Sequence, residues 1–262
     1  MKRWIAAVAG LCGGLWALAS PGQVPALAQP ALLLTNIAQI RALSDNEAHR
    51  GYAVRLQAVV TFEIGLQYFF IHDFTKGLCV ERAKGNFHLR PGQIVELEGT
   101  THRPEGYAPI VKVDQVKVIG EGQLPAARHV PFDELVSNQE DCQWLEVRGI
   151  VRTAAQTADN RFALDLAVAG RRLRVHLPAL PVGCESRMVD STVVVRGVRG
   201  CIFNQKRQVL APLLFVDTNN LVVEDLAPED AFAIPERPLQ SLLQFTPNPR
   251  YGHRLKVRGT VT

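Results

Sequence analysis

Three stretches of the chain repeat one alternation of apolar and polar residues. In the middle one, Leu145, Val147, Gly149 and Val151 alternate with Glu146, Arg148, Ile150 and Arg152, the period-two pattern of a half-buried strand. Upstream, Val54, Leu56, Ala58 and Val60 alternate with Arg55, Gln57, Val59 and Thr61; downstream, Leu255, Val257, Gly259 and Val261 alternate with Lys256, Arg258, Thr260 and Thr262. The copies lie roughly 90 and 110 residues apart, too far for a solenoid unit and suited to a small β domain. The pattern predicts two whole domains and the opening of a third.

Each copy follows apolar residues at helical spacing. Ile37, Ile40 and Leu43 come behind Thr35 and Asn36, which suit an N-cap; Phe132, Leu135 and Val136 follow Pro131, and Leu239, Leu242 and Leu243 follow Pro238, which suit a first helical turn. Polar stretches 44–50 and 137–141 read as connectors into the long strand. After that strand, the first unit predicts strands over 66–73, 78–82, 94–101 and 108–119, with a polar interruption at 84–92. The second unit repeats the order over 162–168, 173–177, 192–198 and 213–224, with its interruption at 178–190 and a bridge at 203–208.

Five strands with an interruption between the third and fourth is the order of an OB-fold, a partly open Greek-key barrel. A β-sandwich would need about seven strands per unit. The expected fold is therefore all-β with short helices: tandem five-stranded OB-like Greek-key barrels over 34–124 and 127–233, and a truncated third over 234–262. The proline-containing linkers 121–130 and 226–237 are expected to carry the contact between barrels.

Residues 1–28 stand apart from this pattern. Lys2 and Arg3 precede an apolar run over 5–19, and Ala26-Leu27-Ala28 fits a small-x-small cleavage site, so the segment reads as a secretory signal and places the rest outside the cytoplasm, in the periplasm. Fifteen apolar residues fall short of the roughly 20 that span a bilayer. The formal net charge of +4 falls by two when Lys2 and Arg3 leave with the signal, which is not the strongly basic balance of a dedicated nucleic-acid binder. Cys79, Cys142, Cys184 and Cys201 remain, with neither C-x-x-C spacing nor neighbouring histidine pairs, so no metal site is expected. Cys184 and Cys201 flank a strand that holds its ends apart, and are expected to stay unbonded.

No residue set suggests an enzyme. His72-Asp73 ends an aromatic strand without a nucleophile motif, Glu96 and Glu98 read as a solvated strand face, and the P-loop and G-x-G-x-x-G patterns are absent. No catalytic residue and no cofactor is assigned. OB barrels usually take ligands on their second and third strands and adjoining loops. With Phe162, Leu164, Leu173 and Val175 inward, Arg172, Arg174 and His176 point out, and Asn204, Lys206 and Arg207 lie on a loop nearby, making a basic cluster for an anionic ligand. The first unit offers Tyr68, Phe70 and His72 on a strand face with Tyr107 on a loop. Nucleic acid is an admissible but not favoured partner.

The series LTNIAQIRALS, GYAVRLQAVVT, FFIHDFTKGLCVE, LRPGQIVELEGTT and FNQKRQVLAPLLFVD resembles the tandem OB-like extracytoplasmic region of bacterial sensor histidine kinases. The resemblance implies a non-catalytic region that senses a ligand or periplasmic partner, in a parent protein held in the inner membrane by parts outside this chain. Two other settings fit the same residues: a secreted OB-fold module for nucleic acid or oligosaccharide, and an accessory domain of an exported nuclease.

Overall fold

The computed structural model describes residues 32–83, 88–104, 108–137, 140–204, 206, 209–242, 244 and 252–259. Residues 1–28, read above as a signal, and Tyr107 and Arg207 lie outside them.

The first long strand, with Val54, Leu56, Ala58 and Val60 buried, is the seam of the first barrel. Leu33–Leu34 (β1) lies parallel to Ala53–Ile64 (β2). Between them sit two short helices, Ile37–Arg41 (α1) and Asp45–Ala48 (α2). Asn36 caps α1 by accepting the Gln39 N–H (2.9 Å), and the Gln39 side chain accepts in return from the Asn36 N–H (3.4 Å), which closes a capping box. The second helix corrects the reading of 44–50 as a plain connector. Ser44 and Glu47 form a second capping box there, with the Ser44 N–H donating to Glu47 Oε2 (2.9 Å).

Tyr68–His72 (β3), Gly77–Arg82 (β4), Gln93–His102 (β5) and Ile110–Glu121 (β6) complete the barrel. The ladder runs β2-β3-β4-β6-β5 and closes through β5 on β2, with β4 and β6 parallel and the other barrel neighbours antiparallel. Closure removes the free edges of the barrel strands.

The second unit repeats the circuit. Arg128–His129 (β7) lies parallel to Trp144–Gln156 (β8), with Phe132–Leu135 (α3) between; Pro131 is the N-cap of α3, one position before the predicted first turn. Phe162–Val168 (β9), Arg171–Leu177 (β10), Thr192–Phe203 (β11), Val209–Phe215 (β12) and Leu221–Asp225 (β13) follow. The ladder runs β8-β9-β10-β12-β11 and closes through β11 on β8, with β10 and β12 parallel. The single strand predicted over 213–224 is two: Asp217 caps a 3-10 turn at Thr218–Asn220, which lets β12 and β13 pair with different parts of β11. Both units are five-stranded OB-like Greek-key barrels, and the protein is all-β with short helices. In the third copy, one parallel bridge joins Glu236 to Lys256 beside a 3-10 turn at Leu239–Ser241.

The barrels meet face to flank. Phe62 on β2 and Phe70 on β3 pack against Trp144, Val198 and Phe215 of the second barrel, and Leu124 and Ala127 of the first linker seal the edge. The Phe215 ring lies 5.6 Å from that of Phe62 and 5.7 Å from that of Phe70, within the range of favourable aromatic pairs. The expectation that the linkers carry this contact is corrected: strand faces carry it, with the first linker at the rim. In the second linker, Ala227 is buried against the second barrel, its N–H donating to Ser191 Oγ (2.9 Å) and its carbonyl accepting from Arg187 Nε (2.7 Å).

A polar pin runs beside the apolar contact. Arg199 on β11 is fully buried; its Nε donates to the Leu135 carbonyl (3.1 Å) and its Nη1 to Asp141 Oδ1 (3.3 Å). Asp141 faces Arg41 of α1 from its other oxygen, 3.6 Å from Nη1, so one carboxylate is shared by a cation of each barrel. Cys79, Cys142, Cys184 and Cys201 are all free thiols, in line with the expectation for Cys184 and Cys201. Burial, reinforced by the Asp141 charge, pushes the Cys79 thiol up to about 12 and Cys201 up to about 11. Both stay protonated and unreactive at neutral pH.

Candidate ligand-binding face

The two barrels share a three-strand row of outward residues, set by the same irregularity. In the first, a register shift after Val60 brings Phe62 opposite Phe70, which lies opposite Cys79. In the second, a register shift after Val151 brings Thr153 opposite Asp165, which lies opposite Arg174. A bulge rotates the residue beyond it, so equal bulges present equal positions. The row is apolar in the first barrel and polar in the second.

This places the predicted site residues. Phe70 is corrected as a ligand residue: it is 5% exposed because the second barrel covers it. Tyr68 and His72 flank it on β3 and are half-buried. His72 Nδ1 accepts the Phe74 N–H (2.9 Å). Asp73 accepts the Ile37 N–H (2.7 Å) together with the Thr75 hydroxyl (2.5 Å) and N–H (2.9 Å), tying α1 to the barrel. Burial would raise the Asp73 carboxyl, but those bonds outweigh it and hold the group below its ordinary value. The His72-Asp73 pair is thus a satisfied strand end, as its sequence context suggested.

In the second barrel, Leu164, Leu173 and Val175 are in the core, and Arg172, Arg174 and His176 point outward as predicted. Arg172 and Arg174 are exposed, and His176 is half-buried with its ring edge-on to Phe215 at 6.0 Å. The strand register carries this strip from His176, at the barrel contact, through Arg174 and Arg172 towards the β11–β12 hairpin, whose tip holds half-buried Asn204 and exposed Lys206. At ~3.3 Å per residue the β10 part alone is about 13 Å long.

Asp165 is the member that the sequence reading missed. It is buried beneath the strip, accepting from Arg174 Nε (3.0 Å) and the Thr153 hydroxyl (3.0 Å), with Arg172 Nη1 at 3.9 Å. Burial pushes its carboxyl up, but the Arg174 and Thr153 bonds overcome this and hold it low, so it stays charged. One arginine charge is offset and its side chain held in place; Arg172 and Lys206 carry the surplus. The signal for Asp165 was a lone acid within the apolar strand FALDLAV, directly opposite Arg174 in the hairpin register.

Burial first, and then the Arg174 charge, lower the His176 pKa; burial also lowers that of His72. Their folded values lie below the ordinary 6.5, so the unfolded chain takes up protons first and stability rises with pH through that window. The contribution is fully present above about pH 6.5 and declines as pH falls below it. Urea midpoints should be lower at pH 5 than at pH 7.5, and a His72→Gln/His176→Gln double variant should flatten the difference; equal midpoints in the parent protein would contradict it.

Among the described residues no group of three or more histidine, cysteine or acidic side chains is placed to hold a metal, and no helix is long and apolar enough to cross a membrane. No protein-family profile matches the chain, and no curated protein matches it in sequence. Several solved structures resemble parts of it. The hypothetical protein ygiW from E. coli is 16% identical, the match covering 34% of this chain and 94% of that one with a TM-score of 0.28. The telomere capping protein Ten1 from S. pombe is 18% identical over 34% of this chain and 81% of its own, with a TM-score of 0.26. A murine DNA-binding protein bound to double-stranded DNA is 10% identical over 66% and 99%, with a TM-score of 0.32. Scores this low carry no argument about ligands, and the barrel assignment rests on the strand circuit itself.

Proposed function

We propose that the chain is a non-catalytic binding unit that works outside the cytoplasm, in which the first barrel is a rigid support and the second offers a face for an extended acidic ligand. The observation that carries this reading is the row swap: Phe62, Phe70 and Cys79 are used up in packing, while Thr153, Asp165 and Arg174 at the same positions stay polar and ordered beside Arg172 and Lys206. Sequence-tolerant binders of single-stranded nucleic acid stack bases on exposed aromatic rings. Among the described residues the strip offers the half-buried His176 ring alone, so an acidic oligosaccharide or acidic protein segment suits it better than nucleic acid.

Titration with a sulfated oligosaccharide and, separately, an oligothymidylate tests the proposal. The sulfated probe should bind with an affinity that falls with salt, and Arg172→Glu/Lys206→Glu should weaken it on the order of tenfold or more, while Lys117→Glu on the first barrel leaves it unchanged. Tighter binding of the oligothymidylate would move the assignment to nucleic acid, and indifference to the double reversal would return the strip to plain surface. The setting implied by the resemblance, a sensory region of a membrane-held histidine kinase, belongs to the same proposal. Reading the coding sequence beyond codon 262 tests it. A membrane span followed by a kinase core would support it, and a nuclease or hydrolase domain would replace it with the exported accessory role.

A further inference from the structure

The parallel opening of the two barrels recurs in the third copy. Leu34 pairs with Val54 three residues before α1 begins, and His129 pairs with Glu146 three residues before α3. Glu236 pairs in the same sense with Lys256, three residues before the turn at Leu239. The Arg237 N–H donates to the Lys256 carbonyl (2.9 Å). In extended chain, neighbouring residues turn their peptide groups to opposite edges, so Leu255 and Val257 present theirs away from Glu236. Among the described residues that edge has no backbone partner. Leu255 and Val257 are each 44% exposed, whereas their first-barrel counterparts Val54 and Leu56 are at 2% or less.

In both complete barrels an antiparallel strand occupies this edge, and charges match across it. On β2, Glu98 of β5 lies opposite Arg55 and accepts from its Nε (2.8 Å), and Glu96 lies opposite Gln57. On β8, Arg196 of β11 lies opposite Glu146 and donates to it (2.7 Å). At the places of Arg55 and Gln57 the third copy has Lys256 and Arg258. These two cations share the single carboxylate of Glu236, at 3.6 Å and 2.9 Å, and leave a net positive edge.

We propose that the free edge at 255–259 takes up an antiparallel β-strand of another polypeptide segment, one in which apolar residues alternate with acidic ones, completing the layer that β5 and β11 supply in the two barrels. Main-chain bonds would give such a complex its affinity, and the acidic side chains its register.

A peptide copying residues 93–102, QIVELEGTTH, is the probe. Added to the isotope-labelled whole chain, it should shift and protect the amides of 255–259. Replacing both peptide glutamates by lysine should weaken binding on the order of tenfold, two facing charge pairs being reversed. The chain variant Lys256→Glu/Arg258→Glu, at one half-buried and one exposed position outside both barrels, should invert the preference between the two peptides. Absence of any shift at 255–259 at millimolar peptide, shifts confined to Arg172 and Arg174, or equal binding of the two peptides would each overturn the proposal.

Discussion

Arg199→Ala will lower the unfolding free energy by about 3–5 kcal/mol, the range for removing one member of a buried ion pair. The side chain is fully enclosed and joins three elements: the end of α3 through the Leu135 carbonyl, the connector through Asp141, and β11 itself. Its loss opens a void between these elements and leaves Asp141 with the longer contact to Arg41 (3.6 Å) and the weak thiol donors Cys142 (3.4 Å) and Cys201 (3.9 Å). Among the described residues Nη2 of Arg199 has no hydrogen-bond partner, so the native arrangement already carries a desolvation cost, which tempers the loss. Arg199→Met, which refills much of the volume without the charge, should therefore recover part of the stability. Denaturant unfolding of the three proteins measures this; an alanine variant within about 1 kcal/mol of the parent would show the pin to be dispensable.

Gly77→Ala will disturb the joint between the barrels more than its single methyl group suggests. Gly77 opens β4, and a Cβ there would lie 1.8 Å from the carbonyl oxygen of Cys142 and 2.6 Å from its carbonyl carbon. Neither is the tip of a flexible side chain. Cys142 itself holds a positive φ of 63° and donates its N–H to the Arg199 carbonyl (2.9 Å), and the Gly77 N–H donates to Gln143 Oε1 (3.3 Å), so backbone on both sides is fixed. The barrels must move apart to admit the methyl group, at a cost of about 3 kcal/mol, the upper end for overpacking. Calorimetry should resolve the single transition of the parent into two. Gly120→Ala, where an added Cβ meets nothing within 4 Å, is the matched control and should be near neutral. A single unshifted transition in Gly77→Ala would refute the close contact.

The barrels were legible wherever one face of a strand is buried and the other is wet. Val54 to Ala58 and Leu145 to Val151 announce themselves because burial alternates with the pleat. Elements held by local polar bonds were less legible: the Ser44 to Glu47 capping box makes a helix of a stretch that looks like solvated linker, and the turn capped by Asp217 divides a run that is apolar on both sides. The site was legible in its charges but not in its limits. Arg172 and Arg174 could be placed by alternation, yet the fate of Phe70 depends on Phe215, a residue of the other barrel that no periodicity links to it. An outward aromatic on a barrel strand suits a ligand and a neighbouring barrel equally, and only the packing decides.

The contrast between the two rows also gives the stack a direction. The first barrel sets its row of Phe62, Phe70 and Cys79 against the flank of the barrel that follows it in the chain, a head-to-tail arrangement that could in principle be extended by every later copy. A successor seated on the second barrel in the same way would have to desolvate Asp165 and Arg174 together and displace Arg172, and burying such a pair returns less than packing apolar surface. The polar row of the second barrel thus works against this mode of stacking, and a module that turned away from the line of the first two would be spared that cost.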